Sequence, residues 1–391
     1  MTFYKEAKAL VKANIRDYGM YIALIVIMLT FTFMTDGLFM SSRNISNLLD
    51  SAGYIAVLAV GMTLVIVIRH IDLSVGFLAG FLGAIAAIFL TQLGYSVWIT
   101  IPIILILGVL IGLFNGALIA KLGIPAFVAT LAGMLIFRGA LLKVTEKTGT
   151  IIIKDGQFNA IGNGFIPSIM QINGLHLLTL LVGLGGILLY IYNDISNRRN
   201  KLKYGFDVIS KEIFSLKLVL ISAIIAYITW ILAGYNGFSW TVIIMIIVVI
   251  IYHFFTSKTV LGRHIYAVGS NPEAAHLSGI NVQKITYIVF GSMGMLAALS
   301  GILFTSRLQS ATTTAGTLFE LDAIAAAYVG GVSSAGGVGK VTGAIIGAIV
   351  MASLSNGMNL LGVGISYQYI IRGAVLAGAV IFDVMTRKQR A

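Results

Sequence analysis

From Leu73 to Ala120 the chain carries no Asp, Glu, Lys or Arg. A helix needs about 20 apolar residues to cross the hydrocarbon core of a bilayer, so this run holds two crossings with a turn at Gln92 to Ser96. Tyr18 to Thr35, Ser51 to Ile68 and Ile285 to Ser306 are uncharged runs of single-span length, and Leu218 to Ser257 holds two spans around Gly234 to Gly237. Leu122 opens a further span, and another covers about Asn173 to Asn193. Val341 to Phe382 holds two more around the turn signal Gly362, Val363, Gly364. Only 10% of residues are charged, against about 25% in a soluble domain. The fold class is an all-α polytopic membrane protein, read as a single transmembrane domain over residues 1–391.

The segment Ala323 to Gly339 is uncharged but carries five glycines. It reads as a span, a broken helix or a re-entrant segment packed on protein. The sign of the loops favours a span. With about twelve helices (10–12) and both termini cytoplasmic, only Arg43, Arg138, Lys143, Lys147, Lys154, Arg307 and Arg372 of the 26 Lys and Arg residues fall outside or within spans. A re-entrant segment would put the basic C-terminus outside. The basic stretch before Tyr18 and the length of the first apolar run predict a retained anchor rather than a cleaved signal. Gly108, Gly112 and Gly116, and Gly343 with Gly347, are spaced to let helix backbones approach.

The formal charge of +12 follows this topology and forms no basic face with interleaved aromatics, so no nucleic acid is expected. There is no cysteine. His70, His176, His253, His264 and His276 are scattered without metal-ligand spacing, so no metal site and no catalytic constellation is expected. The run Gly336-Gly337-Val338-Gly339-Lys340-Val341 lacks a phosphate loop's pattern, with Ser334 where its first glycine belongs and Val341 where it needs Ser or Thr. It reads as a bend or a helix-packing site. All 14 acids lie in loops or near span ends. Asp72, Glu320 and Asp322 each open an apolar run, where they suit helix capping, a pathway or gate, or ion coupling. Asn115, Asn356 and Asn359 stand at membrane depth, as interhelical hydrogen-bonding groups or as lining of a polar passage.

Residues 258–284 form a cytoplasmic loop with unusually consistent local signals. Asn271 is a good N-cap, Pro272 belongs at the first helical position, Glu273 suits the first turn and Gly279 is a natural C′ residue. They predict a helix over 272–278, too short to span and shaped for a partner's groove.

These stretches carry a resemblance. Ile71 to Gly76, Gly262 to Val282, Glu320 to Ala326, Gly330-Gly331 with Gly336 to Gly339, and Asn356-Gly357-Met358 together resemble the permease subunit of bacterial ABC importers for monosaccharides, the ribose, galactose and xylose branch. The two-span insert 171–234, with its basic loop 194–217, is similar to the longer xylose-type permeases. His70, often Glu or Gly there, and His276, usually Arg, depart from the pattern.

The resemblance implies a homodimer in the bacterial inner membrane, importing a monosaccharide such as xylose. A periplasmic sugar-binding protein feeds it and a separate cytoplasmic ABC ATPase drives it. No cofactor is bound by the chain itself, since ATP and Mg sit on the ATPase. Gly269, Asn271, Pro272, Glu273, Ala274, Ala275, His276, Leu277, Ser278 and Gly279 then form the coupling loop. Asp72, Ser74, Asn115, Glu320, Asp322, Asn356 and Asn359 are the pathway or gate candidates. The rival reading is an ion-coupled secondary sugar transporter, whose marks would be a buried acid or half-helix ion site and an internal repeat. No such repeat is evident.

Overall fold

The protein, seen as a computed structural model, is described over residues 15–168, 170–172 and 174–388; Lys5, Lys8, Lys12 and Arg390 lie outside these. With no water to satisfy backbone groups in a bilayer, apolar runs become helices. They are α1 (Ile15–Met34), α2 (Ser42–Val67), α3 (Val75–Thr91), α4 (Val97–Ala120) and α5 (Ala126–Thr145). A short helix α6 (Gly156–Asn163) follows. Next come α7 (Leu177–Lys203), α8 (Lys211–Ala233) and α9 (Trp240–Lys258). After α10 (Val260–Ser270) and α11 (Pro272–Leu277) come α12 (Val282–Leu308), α13 (Phe319–Val329), α14 (Val341–Leu360) and α15 (Ile365–Lys388). Nine helices among the described residues are long and apolar enough to cross a membrane; α3 and the apolar 19–34 part of α1 are shorter.

Helices α2 and α12 are buried along most of their length, whereas α7 and α15 are largely exposed. Glycine brings the central helices into backbone contact. Gly108 lies on Gly294, Gly112 on Phe290 and Gly291, and Gly116 on Tyr287, so the triple in α4 packs along α12. On the other side of α12, Gly301 meets Ala79 and Gly83 of α3. Gly343 and Gly347 of α14 pack on Gly330 and Ala326.

Two faces close the bundle. On one, β1 (Thr150–Ile152) pairs antiparallel with β4 (Ser310–Thr312), which follows α12. Between α6 and α7, the two-residue strands β2 (Gln171–Ile172) and β3 (Leu175–His176) form a small hairpin. The opposite face carries α10 and α11. Two crossings between these faces are broken. After α2 the chain climbs through residues 68–74 before α3 begins. After β4 it descends irregularly to α13, eleven residues and about 16 Å long, and reaches α14 through a loop at 330–340.

The full spanning helix expected over Ala323 to Gly339 is thus replaced by a half-length one. Gly331, Gly336 and Gly337 take φ of 88°, 79° and 70°, positive values that a right-handed helix cannot continue. The basic stretch 194–217 is also mostly helical, with its turn confined to 204–210. Lys201 and Lys203 sit in the last turn of α7, where cations complement the helix dipole.

Candidate functional site

The N-termini of α3 and α13 meet inside the bundle, because Gly76 of α3 lies against Gly316 and Glu320. Any side chain at 76 would overlap the Glu320 carboxylate. Asp72 is buried and accepts hydrogen bonds at Oδ1 from the Ser74 amide (2.9 Å) and the Ser74 hydroxyl (2.6 Å). It thereby places a carboxylate at the positive end of α3. Asn115 of α4 donates from Nδ2 to Ser74 Oγ at 3.2 Å, and Thr130 of α5 donates to the Ile71 carbonyl at 3.3 Å. The break before α3 is stitched to two neighbouring helices.

Glu320 is 5% exposed, and its Oε2 has no hydrogen-bond partner among the described residues. Asp322 turns the other way along α13 and pairs with Arg372 of α15 at 3.5 Å. Beside them Tyr54, Phe304 and Phe319 form a triangle with ring centroids 4.9 to 5.1 Å apart. Five of the seven predicted pathway residues therefore gather around the two breaks. Asn356 and Asn359 stand apart near the end of α14. Asn356 exchanges a reciprocal pair of hydrogen bonds with Asn44 of α2 (2.8 and 3.0 Å), and Asn359 accepts from Gln368 of α15 at 2.8 Å.

On the opposite face, α11 carries the predicted capping. Asn271 Oδ1 accepts from the Ala274 amide at 3.0 Å while the Asn271 amide closes α10 on the Ala267 carbonyl, also at 3.0 Å. The same residue ends one helix and starts the next, so the elbow has no linker. Gly279 takes φ of +83° and donates to the His276 carbonyl at 2.9 Å. Ala275 is buried against the bundle; Glu273, Ala274, His276 and Ser278 are exposed, and Leu277 is 87% exposed.

The helix α10 was not visible in the sequence, where Gly262 and Gly269 lower helix propensity. Its end is clamped. Gly269 is packed on the Val67 carbonyl with no room for a Cβ. The Gly337 amide donates to that same carbonyl at 2.8 Å, so the glycine loop joins the contact. Arg69, in left-handed backbone at φ +67°, donates from Nε to Gly269 O at 2.7 Å and from Nη2 to Ser270 O. The Tyr266 hydroxyl donates to Gly339 O at 2.6 Å, and burial pushes that phenol above its ordinary range. Arg69 could have been flagged only by its place between a span end and Asp72. One junction thus ties the exposed α11 to the feet of both broken crossings. Among the described residues no three His, Cys, Asp or Glu side chains come together as a metal site needs.

A family profile described as branched-chain amino acid transport system / permease component matches residues 44–380. The xylose transport system permease protein of Escherichia coli K12 is 39% identical over 376 residues, 96% of this chain and 93% of that protein. Its namesake in Haemophilus influenzae is 39% identical over 377 residues, 96% and 98% of the two chains. The ribose import permease of the same organism is 35% identical over 366 residues, 93% and 91%. No solved structure matches the chain.

Proposed function

This chain belongs to the family of permease components described for branched-chain amino acid transport systems, and from that premise we propose that it is the membrane subunit of an ATP-binding-cassette importer for a monosaccharide, xylose or a related pentose or hexose. It is a transport subunit rather than an enzyme, and a multi-pass protein of the inner membrane. The names of its xylose and ribose permease relatives support the substrate class.

The observation that carries the reading is α11. A capped, two-turn helix with Leu277 outermost is a knob without a socket among the described residues, and the socket is a groove on a separate ATPase that binds ATP and Mg. The α11 face is cytoplasmic in this reading, together with both termini, and the β1–β4 face receives a periplasmic sugar-binding protein. Closure of the ATPase dimer displaces α11. The elbow at Asn271 passes that displacement to Gly269, Arg69 and Gly337, and so to the two breaks, where Asp72, Ser74 and Asn115 hold the start of α3 and Gly76 packs on Glu320. Two copies enclose one passage. Rearrangement of the half-helices opens it, and sugar released by the binding protein moves through.

The test is ATP hydrolysis and sugar uptake in proteoliposomes, with this chain alone and with its ATPase and binding protein added. Uptake is expected only in the complete mixture, with hydrolysis stimulated by loaded binding protein. Uptake by the chain alone, driven by an ion gradient and indifferent to ATP, would overturn the proposal and return Asp72, Glu320 and Asp322 to the role of ion-coupling sites.

A further inference from the structure

Arg138 occupies a place in α5 that a lipid-facing residue does not take. It is exposed, and it lies between two and three residues past the middle of Ala126–Thr145, about 4 Å from the helix midpoint. The hydrocarbon core extends about 15 Å either side of the midplane. A lipid-facing arginine at this depth escapes by stretching toward the nearer surface. Arg138 does the opposite. Helical side chains lean toward the N-terminus, here deeper into the bundle, and its Cζ sits 5.5 Å from the centre of the Phe77 ring. Phe77 lies in the first turn of α3, next to Gly76, which itself packs on the Glu320 carboxylate. Among the described residues Arg138 has no ion pair.

Charged groups within spans face the bundle interior or a water-filled cavity. One turn closer to the β1–β4 face, on the same side of α5, Leu142 lines an open depression of about 460 Å³ with Gly139, Lys143, Glu146 and Thr313. Gly139 leaves its floor open, since a Cβ there would meet nothing within 4 Å. Arg138 stands one turn below Leu142 on that side of α5.

We propose that Arg138 lines the sugar passage of this permease, with its guanidinium donating to sugar hydroxyls beside the Phe77 ring. This rests on the monosaccharide reading above. A planar group with five donors suits the vicinal hydroxyl oxygens of a neutral polyol, and an aromatic ring beside it suits the sugar's C–H face. Such a site binds weakly enough to release.

The chain has no cysteine, so single cysteines report local access to water. In the assembled complex, Arg138→Cys is compared with Lys147→Cys in the turn after α5, and with Ile136→Cys, 64% exposed on the opposite side of α5. A charged, membrane-impermeant thiol reagent is expected to modify position 138 within about tenfold of the rate at 147, and at least about a hundredfold faster than at 136, because a charged reagent does not enter lipid. A rate at 138 as slow as at 136 would overturn the proposal. So would a spontaneous disulfide between two copies through position 138 that shuts the reagent out.

For the sugar contact, Arg138→Leu is expected to lower uptake by roughly tenfold or more at unchanged membrane level, as loss of charge-assisted hydrogen bonds implies, while Arg138→Lys retains most of it. Wild-type uptake by Arg138→Leu would overturn the contact. If the wild-type complex imports no monosaccharide, the functional reading fails, whereas the labelling rates still decide whether Arg138 faces water.

Discussion

Replacing Gly269 with alanine is expected to unfasten α11 from the bundle while leaving the spans in place. The added methyl would overlap the Val67 oxygen and stand 2.7 Å from the Gly337 nitrogen and 2.9 Å from the Val67 carbonyl carbon. Ordinary carbon contacts need about 3.5–4.0 Å, so the end of α10 must retreat by about 1 Å. The bonds from Arg69 Nε to Gly269 O, now 2.7 Å, and from Gly337 N to Val67 O, now 2.8 Å, then stretch beyond hydrogen-bonding range. Their joint loss is worth about 2–3 kcal/mol, taking the low end for the exposed arginine. Hydrogen exchange at the Gly337 amide reads this directly, because 1.4 kcal/mol is tenfold in an opening equilibrium. Protection at Gly337 should fall by roughly 30- to 150-fold by that conversion, while amides in the middle of α12 keep theirs. Sugar imported per ATP should fall with it. Unchanged protection at Gly337 would refute the clamp, because nothing else in the site gives the methyl room.

Three further outcomes are expected. Glu273→Arg or Gly279→Pro should leave folding and insertion intact but uncouple ATP hydrolysis from uptake in the reconstituted complex, and wild-type transport by either would remove α11 from the mechanism. Gly294→Ala should destabilise the protein by about 2 kcal/mol through overpacking, since its methyl would overlap the Gly108 oxygen and stand 2.9 Å from the Gly112 Cα. Gly186→Ala, with nothing within 4 Å, should instead gain up to about 1 kcal/mol, the two compared by unfolding in mixed micelles. Asp322→Asn should lower thermal stability in detergent by stranding Arg372 at membrane depth, and exchanging the two charges should restore most of the loss; equal damage from the exchange would show that the pair contributes no attraction.

Much of the fold was legible because membrane crossing is a local demand. Apolarity and length marked α2, α4, α9 and α12 without any knowledge of neighbours, and the signals at Asn271, Pro272 and Gly279 act within a single turn. The glycine triple in α4 announced a close partner but not that α12 was the partner. What stayed hidden was set by distant contacts. The half-helix α13 begins where Leu318 adopts left-handed backbone and Gly316 rests on Gly76, which no window of residues 309–330 reveals. The pairing of β1 with β4 joins segments more than 150 residues apart. Asp72, Ser74 and Glu320 were visible as polar groups near span ends and Asn115 as one at membrane depth, yet their convergence around the two breaks, and the gathering of Arg69, Gly269 and Gly337 at one carbonyl, belong to tertiary structure.

Where glycine faces glycine, as at Gly108 with Gly294 and Gly330 with Gly343, the contact has consequences for how this sequence can drift. Two leucines in contact can trade volume, one shrinking as the other grows, and a neutral path connects the two arrangements. Two glycines have nothing left to trade. Enlargement on either side meets backbone, and no substitution opposite makes room. A library randomising both members of such a pair should therefore return glycine at both, whereas Gly186 and Gly378, which face open space, should diversify freely.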